Sequence, residues 1–150
     1  MKELNKQGDN MGGLIKIWAV PNTDFSVSGT TVNFSSTDNI YEIYCSPDSM
    51  QFTEVKEITN AGIHYKTALS GFAPKDSVEL QEALEYIEPR KWVVIFIDGN
   101  GRYKLAGTGA QPLQLAANLI SGKNTADRAG CEIPFSGRTL SRAVFIDNPF

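Results

Sequence analysis

The sequence is poor in the residues that most often do chemistry. It holds one histidine, His64, and two cysteines, Cys45 and Cys131, in 150 residues. A single imidazole excludes a multi-histidine metal site, and two distant cysteines form neither a C-x-x-C pair nor zinc-ligand spacing. They read as reduced thiols, and whether they pair is a matter of geometry. No run of about 18 apolar residues occurs, so no transmembrane helix and no membrane partner are expected. Basic charge is not in excess: 14 Lys and Arg stand against 17 Asp and Glu, a formal net charge of −3. A protein that grips a phosphate backbone shows the opposite balance, with a basic patch or stripe. Residues 1–10 lack the apolar segment and the small-residue cleavage site of a secretory signal. Without that route, the sequon at Asn33-Phe34-Ser35 reads as chance.

What is present suits one soluble globular domain. Hydrophobic residues make up 41% and charged residues 21%, and a chain of this length buries roughly 68–70% of its unfolded surface. Residues 1–13 are polar with no periodic apolar face, which predicts a flexible N-terminal arm. The domain is expected over 14–146, with 147–150 as a C-terminal tail.

Strand signals dominate. Leu14 to Val20 is a β-rich run stopped by Pro21-Asn22. Phe25, Val27, Val32 and Phe34 flank a turn at Ser28-Gly29-Thr30. Ile40 to Cys45 is rich in β-branched and aromatic types, and Ser46-Pro47-Asp48-Ser49 is turn chemistry. Phe52 to Ile58 and Ile63 to Leu69 predict two more strands joined through Asn60-Ala61-Gly62. Trp92 to Ile97 is apolar on both faces, as expected of a central strand. Asp98-Gly99-Asn100-Gly101 then turns it into a return strand at 102–106. Residues 112–120 fit a period of two and also a helical period; the surrounding glycines favour a strand. A polar loop over 121–130 precedes short strands at 131–135 and 143–146.

One helix is expected, at about 76–88. Leu80, Ala83, Leu84 and Ile87 fall at i, i+3, i+4 and i+7, Asp76 and Glu79 have capping-box spacing, and Glu88-Pro89 ends it. The fold class is therefore mainly β (α+β), an antiparallel β-barrel or sandwich with one docked helix.

No catalytic constellation emerges. His64 is the only base available to a Ser-His-Asp or Cys-His site, yet it sits in an alternating strand with no nucleophile-elbow motif. Asp98-Gly99-Asn100-Gly101 has Arg102 where a calcium loop needs a third ligand. Gly107-Thr108-Gly109 lacks the Lys-Ser/Thr pair of a phosphate loop. No catalytic residue, cofactor or metal is expected.

A pattern of spacing covers residues 62–146. A helix at Val78 to Ile87 is followed by the apolar strand Trp92 to Ile97, then the turn Asp98 to Gly101. The strand Tyr103 to Ala106 closes on Gly107. Pro112-Leu113, Ser121-Gly122 and the late strand Ile133-Pro134-Phe135-Ser136-Gly137 complete it. This pattern resembles small virion structural proteins of tailed phages and prophages of Bacteroides-type hosts, departing from it at Gly130-Cys131-Glu132. The resemblance implies a tail-tube-like fold and a non-enzymatic role as a tail-tube, tail-terminator or neck subunit. The partners would be copies of itself in a ring and other tail or neck proteins. DNA passing through a lumen would be a transient contact. Such a protein is made in the host cytoplasm and ends in the virion. Met11, Leu14, Phe145 and Phe150, apolar residues at the two ends, are the candidate subunit-interface residues. The alternative is a monomeric β-barrel binding module for a small ligand or a host surface molecule.

Overall fold

The computed structural model describes residues 11–74 and 77–150. The first strands are β1 (Leu14–Pro21), β2 (Phe25–Ser28), β3 (Thr31–Phe34), β4 (Tyr41–Ile43), β5 (Gln51–Thr59), β6 (Gly62–Ser70) and β7 (Phe72–Pro74). The helix α1 (Val78–Ile87) follows, then β8 (Trp92–Asp98), β9 (Tyr103–Ala106), β10 (Gln114–Leu115) and β11 (Asn118–Ile120). The chain closes with β12 (Gly130–Glu132), β13 (Phe135–Thr139) and β14 (Val144–Ile146). All pairings between these strands are antiparallel. They form four sheets in the orders β14-β9-β8-β1-β4, β10-β13-β6-β5, β11-β12-β7 and β2-β3, none of which closes into a barrel. Among the described residues the chain is mainly β with one helix, as its β-branched runs and turns predict.

The doubly apolar run at 92–97 does occupy the centre, as the third of five strands. Alternation sends its side chains to two separate clusters. Trp92, Val94 and Phe96 join Ile17, Ala19, Leu69, Leu84, Leu113 and Phe135 on one face. Val93 and Ile95 join Trp18, Val20, Val32 and Leu105 on the other. The first face is covered by α1 and the β6–β13 ladder, the second by the β2–β3 hairpin. Burial on both sides explains why this strand shows no polar alternation.

The helix starts later than the sequence suggests. Its cap is Ser77, whose Oγ accepts from the Leu80 amide at 3.2 Å. Asp76, half of the expected capping box, lies outside the described residues. With Leu80 three positions after the cap, no acid returns a bond to close a box. At the other end Pro89 stops the helix. The Trp92 indole donates to the Ile87 carbonyl at 2.7 Å, and the Arg90 guanidinium to the Tyr86 carbonyl at 2.6 Å. The Tyr86 carbonyl of the last turn is thereby satisfied, and the Ile87 carbonyl, which also accepts from the Arg90 amide at 3.2 Å, gains a second donor.

Two other expectations change. Residues 112–120 are not one strand: β10 pairs with β13 and β11 with β12, in different sheets. Between them the Ala116 amide donates to the Pro134 carbonyl and the Ala117 amide to Glu88 Oε1. Likewise 131–135 splits into β12 and β13, because Pro134 has no amide to continue a ladder. The strand β7 was not anticipated.

Candidate functional site

The predicted interface residues are best placed from the β8–β9 turn outward. Asp98 Oδ1 accepts from the amides of Asn100 at 2.9 Å and Arg102 at 3.0 Å. The Gly101 amide donates to the Asp98 carbonyl, and Gly101 takes φ +78°, a left-handed conformation that glycine adopts without strain. Arg102 Nη2 lies 3.1 Å from Asp98 Oδ2. Partial burial pushes the Asp98 carboxyl up, but the Arg102 and Asn100 amides and the Arg102 guanidinium outweigh it and hold it below the ordinary 3.8.

Three of the four candidates converge on this turn. The Met11 amide donates to Asn100 Oδ1 at 3.1 Å, and Gly99 donates to the Gly13 carbonyl at 3.0 Å. The approach is so close that a side chain at Gly99 would begin 2.7 Å from the Gly12 carbonyl. Leu14 stands opposite Asp98 in the ladder and packs on the first cluster. Phe145 lies under two cations, 4.9 Å from the Arg102 guanidinium and 4.5 Å from the Lys104 ammonium. Residues 11–13 of the expected arm are therefore seated on the domain; residues 1–10 lie outside the described residues.

Phe150 is elsewhere. Its ring stacks 5.5 Å from Phe34 and lies tilted 4.6 Å from Trp18, on the second face of the central sheet. Asp147 fixes the tail there: its amide donates to the Thr30 carbonyl at 2.9 Å and its Oδ2 accepts from Thr30 Oγ1 at 2.7 Å. The tail lies on its own domain. Met11, Phe145 and Phe150 nonetheless stay about half exposed or more.

The sequence reading missed Lys104, which bridges Phe145 to Phe52 at 5.8 Å, and Phe52 in turn packs on Phe96 at 4.7 Å. The period-two alternation of Arg102 and Lys104 was the available signal. It places both cations on one face but does not say which aromatic they meet.

His64 Nε2 lies 2.6 Å from Glu57 Oε2 across the β5–β6 ladder, with Arg138 Nε 3.7 Å from the same oxygen. That is a cross-strand ion cluster with no nucleophile in it. Cys45 and Cys131 are both buried, and no disulfide joins them. Burial, and then the neighbouring Cys131, push the Cys45 thiol up to about 11, so it holds its proton at neutral pH. No cluster of three or more metal-ligating side chains occurs among the described residues. No helix among them is long and apolar enough to cross a membrane.

A cleft of about 220 Å³ opens between α1, β4 and β7, lined by Tyr41, Ile43, Leu80, Ala83 and Ile133. Its lining is mostly apolar, with Glu42 also on it, and its Ser77 hydroxyl already serves as the helix cap. It falls below the roughly 300–1,000 Å³ of typical small-molecule sites. Comparison with protein-family models, curated proteins and solved structures finds no match for this chain.

Proposed function

We propose that this chain is a non-enzymatic structural subunit that works by assembly, a tail or neck component of a tailed-phage virion forming a homo-oligomeric ring or tube. On this reading its sheets stack as a tail-tube-like β-sandwich. Copies of itself and other tail or neck proteins are its partners, and DNA passes transiently through the lumen. The observation that carries the reading is the rim of the central sheet. There the half-exposed Phe145 sits on the three-residue edge strand β14, flanked by Arg102 and Lys104, while exposed Met11 bonds the same β8–β9 turn through its amide. An aromatic under two cations at an open edge presents apolar area and hydrogen-bonding backbone together, which suits a subunit contact. The phage setting rests on the sequence resemblance alone.

Deleting residues 1–12 should leave the circular dichroism spectrum unchanged and reduce rings or tubes seen by light scattering and electron microscopy. Assembly equal to that of the full chain removes the arm from the mechanism. A monomeric full chain at every soluble concentration overturns the reading. The second reading, a monomeric binding module, is favoured by the apolar cleft beside α1, and it requires saturable binding of a small apolar probe that Ala83→Phe abolishes.

A further inference from the structure

The sheet edges of this protein are unequal. Those at β4, β7, β10, β11 and β14 belong to strands of two or three residues, whereas β5 runs for nine, Gln51–Thr59, at the edge of its sheet. Long, uncovered edges are rare because they invite pairing with another chain. No other strand among the described residues pairs with the free side of β5.

The geometry of the β5–β6 hairpin says which groups face outward. Asn60 and Ala61 form a two-residue loop, so Thr59 and Gly62 are the closing hydrogen-bonded pair. Strict alternation in the antiparallel ladder then turns the backbone groups of Thr53, Val55 and Glu57 toward β6. Those of Phe52, Glu54, Lys56 and Ile58 point to the open edge.

From this we infer that β5 is a two-fold homodimer interface, pairing antiparallel with β5 of a second copy about Val55. In this register Glu54 stands opposite the partner's Lys56, and Lys56 opposite the partner's Glu54. Phe52 meets the partner's Ile58, Ile58 the partner's Phe52, and Val55 the partner's Val55. Every residue whose backbone points outward meets another of the same kind, so the hydrogen bonds and the charges agree. Sliding by one pairing step in either direction puts Glu54 opposite the partner's Glu54, or Lys56 opposite the partner's Lys56. Like charges directly opposite are destabilising, so charge selects the register. Glu54 is already fixed, accepting from the Ala143 amide at 2.7 Å and Arg142 Nη1 at 3.1 Å. The partner's Lys56 therefore meets a preplaced carboxylate. Ile58, 75% exposed, and Val55, 56% exposed, both gain apolar neighbours. A self-complementary patch of this kind closes after two copies, so the inference stands on the strand and does not require the ring.

Val55→Cys tests the register. The two Val55 positions form a close pair not bridged by backbone bonds, within disulfide reach. Oxidised glutathione should link Val55→Cys into a covalent dimer. Thr53→Cys, whose opposite is the partner's Glu57, and the unsubstituted chain should stay uncrosslinked. Lys56→Glu, on an exposed position, should fold normally and raise the dimer dissociation constant roughly tenfold or more, through two new like-charge oppositions. A native chain that sediments as a 16.4 kDa monomer at all soluble concentrations overturns the inference. So does equal crosslinking of Val55→Cys and Thr53→Cys, or unchanged dimerisation of Lys56→Glu. Rings that persist without the Val55→Cys crosslink sink this interface and leave the assembly reading standing. A crosslinked dimer that never grows further does the reverse.

Discussion

The two faces of the central sheet are buried by different means. On the first, Trp92, Phe96 and Phe135, almost inaccessible to solvent, pack beneath a helix and a second sheet. On the second, the cover is a four-residue hairpin pair and the last four residues of the chain, and Phe150 is still 52% exposed. The first cover is built from elements with their own patterning and caps. The second is held by Val32, Phe25 and Phe34 of the hairpin, two ring contacts to Phe150 and the Thr30–Asp147 bonds. Local stability follows buried apolar contact, so the second face is the one expected to open first.

The largest test of that contrast is Trp92→Ala. It empties a fully buried site on the first face and takes the shorter of two donors from the Ile87 carbonyl, leaving the Arg90 amide at 3.2 Å, and should cost about 3–5 kcal/mol in urea unfolding. Against a total of roughly 5–15 kcal/mol, this approaches global unfolding. A smaller loss than that from truncating the tail would invert the comparison. Removing residues 147–150 strips Phe150 from Trp18 and Phe34. It should cost about 1–2 kcal/mol, a fall in Tm of roughly 3–6 °C. Trp18 fluorescence should shift to the red, and an unshifted spectrum would show that the second face needs no tail.

Thiol labelling distinguishes the order of opening. Cys45 and Cys131 both lie in the first cluster, and Cys45, with its thiol raised to about 11, is protonated at pH 8. Alkylation should therefore lag behind the Trp18 fluorescence change as urea rises. Labelling that precedes it would make the first face the weaker one. The smallest effect belongs to the turn from which both faces are reached. The Asp98 carboxyl is held below its ordinary 3.8, so its contribution is present above that value and is lost as pH falls through the lower, folded value. Asp98→Asn should flatten that part of the Tm–pH curve, by little, because the paired Arg102 side chain is more than half exposed. An acid limb unchanged in the variant would show that Asp98 is not a source of it.

Much of this layout was legible because its signals are local. The apolar stripe from Leu80 to Ile87 marked the helix, the double apolar run at 92–97 marked the central strand, and Asp98 to Gly101 marked the turn. The split at Pro134 was visible in principle, since proline cannot donate, but the apolar run around it masked the break. The three residues of β7 were not legible, because Phe72-Ala73-Pro74 is too short to show a period. Of the candidate site, Met11, Leu14 and Phe145 were named as apolar residues near the ends. That they meet at one turn, and that Phe150 lies on the other face, depends on ladders linking residues far apart in the chain.

By itself the sequence determined which segments extend, which one coils and where the chain turns. These follow from neighbouring residues, whose propensities and hydrogen-bonding groups act within a few positions. Only the tertiary structure decided the strand order, the two separate clusters, the cations over Phe145 and the long open edge at β5. Each of these depends on which distant segments pair. That is settled by burying all the apolar faces at once, a condition on the whole chain.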